Sequence, residues 1–185
     1  MKEDITRLDP DELIHLAIDA SIRNFHAEAI ELLKRLLDIS PTNTKAHFLL
    51  GAEYAQIGMI DRAVVQMTQA VAIDPAMHIA RFQLGLLYLT LGNITEASKT
   101  WAPLSSLGDA HYLFLFKSGL EHLAGDQFKT CRIYLSRGIA ANMDNPALSS
   151  DMQRILDKLP EPDGGCGAEG EPNAFFLSAY TGNTH

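Results

Sequence analysis

The sequence predicts an all-α protein built from antiparallel helix pairs that stack one on the next. The first observation is a repeat, because the segments Ile39–Pro41 and Ile73–Pro75 are similar and each ends in proline. A period of about 34 residues, which this spacing sets, is typical of solenoids made of helical hairpins. The second observation is that small residues return at fixed places in the repeat, where two helices have to approach closely.

Each repeat carries the same succession of large and small residues. A glycine inside a helix lowers its stability, so a glycine that recurs at one place in the repeat indicates close packing. The best-defined copy consists of His47, Leu50, Gly51, Tyr54, Ala63, Met67 and Pro75. The copy one period later consists of Arg81, Leu84, Gly85, Tyr88, Ala97 and Trp101. A weaker copy, one period earlier, consists of Leu16, Ala17, Ala20, Ala29, Leu33 and Pro41.

This pattern resembles the tetratricopeptide repeat, in which a large residue, Leu-Gly, Tyr, Ala, a large apolar residue and Pro follow one another. The resemblance covers about residues 10–142 and is strongest over residues 44–104. It implies a right-handed superhelix of helix pairs that binds other polypeptides, and it favours a bacterial protein.

Local signals place six helices in the first three repeats. Asp9 and Pro10 begin the first helix as an N-cap and a first-turn proline. We expect helices at about 10–23, 26–38, 44–57, 60–73, 78–91 and 94–106, with turns at Asn24, Gly58 and Gly92. Pro103 should end or kink the sixth helix near Ala102, because proline lacks a backbone donor and clashes with the preceding turn.

A divergent fourth helix pair is predicted at about 110–124 and 127–141, with its turn at Gly125-Asp126. Gly125 follows Gly92 one position sooner than the period requires, which puts Lys117-Ser118 where Leu-Gly stood. Asn145-Pro146 begins a last helix that should cap the open end of the stack. Its apolar stripe consists of Leu148, Met152, Ile155, Leu156 and Leu159.

The chain is therefore divided into a repeat domain at 10–142, a capping helix at 146–159 and a tail at 160–185. The four repeats span about 10–43, 44–77, 78–110 and 111–142. The tail begins as a flexible acidic linker rich in Gly and Pro. It then becomes aromatic, and we expect this part to fold back over apolar surface or to reach a neighbouring subunit. The residues concerned are Phe175, Phe176, Leu177 and Tyr180.

In tetratricopeptide proteins the first helix of each pair lines a concave groove, and helical spacing selects the residues that face it. The predicted groove residues are Ile14 and Ile18 in the first repeat, Lys45, Phe48 and Ala52 in the second, and Ile79, Phe82, Leu86 and Leu89 in the third. The fourth pair would add Tyr112, Leu115, Gly119 and His122. This groove is largely apolar and lacks the basic set that clamps an acidic tail. It suits an amphipathic helix or an apolar peptide. The alternative is that these residues are core, because 79–91 is apolar nearly all round.

Composition narrows the function further. A formal net charge of −8 opposes nucleic acid, and no apolar run is long enough to span a bilayer. The two cysteines, Cys131 and Cys166, do not form a disulfide framework, which favours a cytoplasmic protein. The seven histidines show no metal-ligand spacing. We therefore expect no cofactor, no metal and no enzymatic activity.

The function predicted from sequence is that of an adaptor that binds a peptide or helix of a partner protein in the groove. One alternative is a chaperone for an apolar translocator segment, similar to those of type III secretion. The other is a self-associating subunit of a larger assembly, such as a homodimer.

Overall fold

The computed structural model describes residues 8–160, and the structural statements that follow concern this part of the chain. It contains helices only, and the predicted all-α fold of paired helices is confirmed. The helices are α1 (Pro10–Ile22), α2 (His26–Ile39), α3 (Thr44–Gln56), α4 (Ile60–Ile73), α5 (His78–Thr90), α6 (Ile94–Trp101), α7 (Tyr112–Ala124), α8 (Phe128–Ala141) and α9 (Pro146–Lys158). A 3₁₀ helix (Ala102–Leu107) lies between α6 and α7.

Side-chain caps start several of these helices. The Asp9 carboxylate accepts a hydrogen bond from the backbone N–H of Glu12 at 2.9 Å. The Glu12 carboxylate in turn accepts from the backbone N–H of Asp9 at 2.9 Å, which completes a capping box. Asn43 caps α3, and Asn145 caps α9, each through its side-chain oxygen. These caps satisfy N–H groups that the first turn of a helix leaves without a partner.

The turns within the four helix pairs share one backbone feature at one spacing. Asn24, Gly58, Gly92 and Asp126 have φ values of 61°, 75°, 73° and 56°, and each follows the last by one full period of the repeat. Asparagine, aspartate and glycine are the residues that adopt this left-handed conformation most readily. Gly125, by contrast, has φ −102°. The shortened spacing predicted for the fourth pair was therefore wrong, because this pair keeps the period with aspartate in the turn.

Close helix contacts confirm the corrected register. A Cβ atom added to Gly51 of α3 would lie 2.9 Å from Cγ of Met67 on α4. A Cβ atom added to Gly119 of α7 would lie 2.6 Å from Cδ2 of Leu135 on α8. Gly119 follows Gly51 by two periods, so it takes the repeat's glycine position. The assignment of Lys117-Ser118 to the Leu-Gly position was one residue out.

Pro103 acts as the sequence predicted. Helix α6 ends at Trp101, and the chain continues as a 3₁₀ helix with the proline in its first turn. The proline needs no backbone donor at that position, and the tighter helix avoids its clash with the preceding turn. Gly108 then leaves this segment with φ 87°.

The chain divides into two compact units, Met1–Leu87 and Tyr88–His185, and each is described by itself. In the first unit α1 packs on α2, α2 on α3 and α3 on α4. Its core combines the small residues of the repeat with large apolar ones, such as Leu33, Leu50 and Met67.

In the second unit the 3₁₀ helix contacts both α6 and α7, α7 packs on α8, and α8 packs on α9. Trp101 is buried at the end of α6, and Cys131 is buried in α8. The stripe of α9 is buried as well, which gives this helix an apolar inner side against α8. The Arg132 guanidinium donates to the backbone oxygens of Leu159 and Pro160 at 3.3 and 3.2 Å, where the described part of the chain ends.

Candidate interaction surface

The predicted groove residues of the first two repeats lie on α1 and α3. Ile18 on α1 is half-buried, as are Phe48 and Ala52 on α3. Lys45, one turn before Phe48, is exposed, whereas Ile14 is buried. We call the four accessible residues Ile18, Lys45, Phe48 and Ala52 the α1–α3 face. This face presents partly exposed apolar side chains next to a cation, so it offers area that a partner could cover.

The third repeat differs from this arrangement. Ile79 is half-buried, but Phe82, Leu86 and Leu89 are only 0%, 3% and 3% exposed. These three predicted groove residues are therefore among the buried side chains of the chain. Their place in the groove stays a prediction, and the burial of a helix that is apolar nearly all round also fits the core alternative.

The corrected register also changes the fourth pair. Two periods after Lys45, Phe48 and Ala52 come Leu113, Phe116 and Leu120, and all three are buried. The sequence had placed Tyr112, Leu115, Gly119 and His122 in this role, through the register that is one residue out. Helix α7 thus adds no accessible groove residue at the positions equivalent to the α1–α3 face.

A cleft of about 100 Å³ opens next to the α1–α3 face, inside the first unit. We call it the interhairpin cleft, because it lies where the first helix pair meets α3. Its lining is apolar except for two residues, and it consists of Ala17, Ile18, Ser21, Ile22, Leu33, Leu49 and Glu53. Only Ile18 among these belongs to the predicted groove. The cleft therefore lies beside the groove and was not predicted from the sequence.

Glu53 is the polar centre of this region. It is 5% exposed, although a carboxylate is seldom buried unless it is paired. The Ser21 hydroxyl donates to its Oε1 at 2.5 Å, and Nδ1 of His26 lies 2.8 Å from its Oε2. These contacts join α1, α2 and α3 through one side chain. The sequence could have revealed that Glu53 is buried. The equivalent residue one repeat later is Leu87, and a leucine there indicates a buried position in the repeat.

Two exposed apolar residues lie at the end of α1, where Ile22 lines the cleft, and in the turn that follows. Ile22, the last residue of α1, is 76% exposed, and Phe25 in the following turn is 52% exposed. The Arg23 guanidinium lies 4.9 Å from the centre of the Phe25 ring and pairs with Asp19 at 2.9 Å. Large apolar side chains with this much exposure mark candidate contact sites when they lie together.

The contacts and burial of two other candidate residues, His47 and Cys131, fit a structural role. His47 contacts the side-chain oxygen of Gln66 at 2.8 Å and the backbone oxygen of Pro41 at 3.0 Å, consistent with a packing role. Burial raises the pKa of the Cys131 thiol to about 12, although the nearby Arg132 acts in the opposite direction.

Within residues 8–160, no group of three or more His, Cys, Asp or Glu side chains is placed to hold a metal ion. No helix in the same range has the length and apolarity needed to cross a membrane. The predicted tail residues Phe175, Phe176, Leu177 and Tyr180 lie outside the described residues.

Comparison with known proteins agrees with this architecture. The Tetratricopeptide repeat family model matches residues 44–77, which is α3, α4 and the start of the next turn. A crystal structure of MamA has a TM-score of 0.61 at 20% identity, covering 72% of this chain and 78% of that one. MamA of Desulfovibrio magneticus RS-1 has a TM-score of 0.60 at 13% identity and covers 98% of this chain and 94% of that one. MamA MSR-1 has a TM-score of 0.56 at 24% identity, covering 75% and 78%. The comparison with curated proteins found no match by sequence.

These identities are low, so the solved structures establish the fold alone. The family match shows a tetratricopeptide repeat at residues 44–77, and the turns of all four helix pairs of the chain follow the spacing of that repeat. Its helix pairs form the kind of scaffold that serves protein–protein interaction.

Proposed function

We propose that this chain is an adaptor that binds an apolar peptide or amphipathic helix of a partner protein on the α1–α3 face. The observation that carries the proposal is the contrast between equivalent helices. Phe48 is half-buried on α3, whereas its counterparts Phe82 and Phe116 are 0% exposed on α5 and α7. Accessible apolar area at groove positions is thus concentrated on the first two repeats.

The chemistry of this face supports a peptide rather than a small polar ligand. Phe48, Ile18 and Ala52 supply partly exposed apolar area. Burying such area on binding is favourable by about 25 cal/mol for each Å² removed from water. Anchor residues spaced along a helix could then contact the two first helices in turn.

Affinity capture from native cells tests the proposal. The bait is the full chain, compared with Phe48→Ser and with Val65→Ser as the matched control. Val65 is also a large apolar residue, and it lies 55% exposed on α4. We expect a protein that wild type and Val65→Ser retain and that Phe48→Ser loses, while urea midpoints of both variants show folded protein. A partner retained equally by all three baits would contradict the proposed face.

Two further functions differ in what the face would hold. A chaperone for an apolar translocator segment would keep one cognate protein soluble on co-expression, and Phe48→Ser would abolish that effect. A self-associating subunit would show concentration-dependent mass by light scattering, and removal of residues 161–185 would test whether the tail takes part. In each case binding by the chain, not catalysis, is the proposed activity.

A further inference from the structure

The interhairpin cleft has the size of a site for one apolar side chain. Its volume of about 100 Å³ lies below the range found for small-molecule pockets, so it suits a side chain rather than a free ligand. Ile22 forms an exposed wall, while Leu33 and Leu49 line the interior. An apolar side chain entering here would exchange water for contact on several sides. Burying the side chain there would be more favourable in free energy than placing it on the open surface of a single helix.

The polar end of the cleft adds a second requirement. A carboxylate offers about four acceptor positions, and the contacts of Glu53 with Ser21 and His26 account for two of them. Because Glu53 lines the cleft, the remaining capacity is available to an occupant. A buried charge is stabilised by each further donor that reaches it, and more by a charged donor than by a neutral one.

The charge of the first unit favours the same kind of donor. Residues 8–87 contain ten Asp and Glu against six Lys and Arg, a net charge of −4. A field of this sign attracts cationic segments and repels acidic ones. The chain's own residues 161–185 contain four Asp and Glu and neither Lys nor Arg, so they match the cleft poorly.

The geometry points to the interhairpin cleft as an anchor site for a partner segment that carries an apolar side chain next to a lysine or arginine. The apolar side chain fills the space between Ile22, Leu33 and Leu49. The neighbouring cation lies against Glu53, where it completes the hydrogen bonding of the carboxylate. The inference rests on the proposed function, since it specifies the partner segment that the α1–α3 face would bind.

Two synthetic amphipathic peptides serve as probes. Both carry leucines at the same helical positions, and their polar positions are lysine in one and glutamate in the other. Fluorescence anisotropy measures their binding to the full chain at low salt. We expect the lysine peptide to bind at least about tenfold more tightly, a difference that salt reduces by screening. Equal affinity for the two peptides, or no binding of the lysine peptide, would overturn the inference.

Matched variants separate the cleft from the rest of the surface. Ile22→Ser removes the exposed wall, while Ile39→Ser removes an equally large residue, 54% exposed, at the other end of the same helix pair. Ile22→Ser should weaken the lysine peptide about tenfold, because it removes most of one side chain's apolar contact. Ile39→Ser should leave the affinity within about twofold of wild type. Equal effects of the two variants would refute the assignment of the cleft.

A second pair of variants tests the carboxylate. Glu53→Gln keeps the shape and an acceptor for Ser21, and Glu28→Gln changes the net charge equally at an exposed site on α2. We expect Glu53→Gln to reduce the preference for the lysine peptide several-fold and Glu28→Gln to leave it nearly unchanged. If Phe48→Ser abolishes binding while Ile22→Ser and Glu53→Gln do not, the cleft proposal fails and the α1–α3 face stands.

Discussion

Truncation of Phe82 distinguishes a core residue from a groove residue. Phe82 is 0% exposed, and Phe48, its counterpart one repeat earlier, is half-buried. Replacing a fully buried phenylalanine by alanine removes its transfer free energy and leaves a cavity, at a cost of about 3–5 kcal/mol. A domain has about 5–15 kcal/mol of stability in total, so Phe82→Ala should remove about a fifth of it or more. Phe48→Ala should cost only about 1–2 kcal/mol, because its ring is partly in water already.

Urea denaturation followed by circular dichroism measures both variants. With a slope of about 2 kcal/mol/M, Phe82→Ala should lower the midpoint by about 2 M and Phe48→Ala by less than about 1 M. Phe82→Asp should lower the midpoint further, since it places a carboxylate among the apolar side chains of the helix. A wild-type midpoint for Phe82→Ala would refute the conclusion that this side chain belongs to the core. It would return Phe82 to the list of candidate partner contacts.

Three further predictions concern Cys131, Gly119 and the tail after Pro160. In a Cys166→Ser background, Cys131 should resist thiol reagents in the folded protein. Because its folded pKa is raised from 9.0 to about 12, the stability it contributes is present below pH 9 and lost as pH rises toward 12, which alkaline unfolding curves would reveal. Gly119→Ala should destabilise by about 1–2 kcal/mol in urea despite alanine's better helix propensity, since its methyl would meet the buried Leu135; an increase in stability would contradict the register. Truncation after Pro160 should raise dye binding to apolar surface if the tail covers it, and an unchanged signal would count against that role.

The period and the helices were readable from the sequence because local signals specify them. Asp9 is a cap, and Gly58 and Gly92 are turn residues, whatever the rest of the fold does. The fourth pair was misread by one residue for the same reason. Gly125 is the obvious turn residue, but the left-handed position is taken by Asp126, which adopts it less readily than glycine. The sequence offered a stronger local signal next to the position that the fold uses.

The sequence pattern could not predict which groove residues are exposed to solvent. An apolar residue at a groove position satisfies the spacing whether water or another helix lies against it. Phe48 and Phe82 therefore look alike in sequence, and only packing separates them. The interhairpin cleft was missed because its lining comes from three helices, and helical spacing compares residues within one helix at a time.

At one position of the repeat, equivalent residues on the same kind of helix have different roles. Four residues occupy it at intervals of one period, namely Asp19, Glu53, Leu87 and Glu121. Asp19 is exposed and pairs with a neighbouring arginine, Glu121 is half-buried and pairs with Lys117 at 3.2 Å, and Leu87 is buried. Glu53 alone combines burial with a charge. A leucine fits this position in the third repeat, but at position 53 it would leave Ser21 and His26 without their partner, and removing one partner of a buried polar pair is destabilising. Glu53 therefore joins three helices, and because it also lines the cleft, the same carboxylate can meet a donor that enters there.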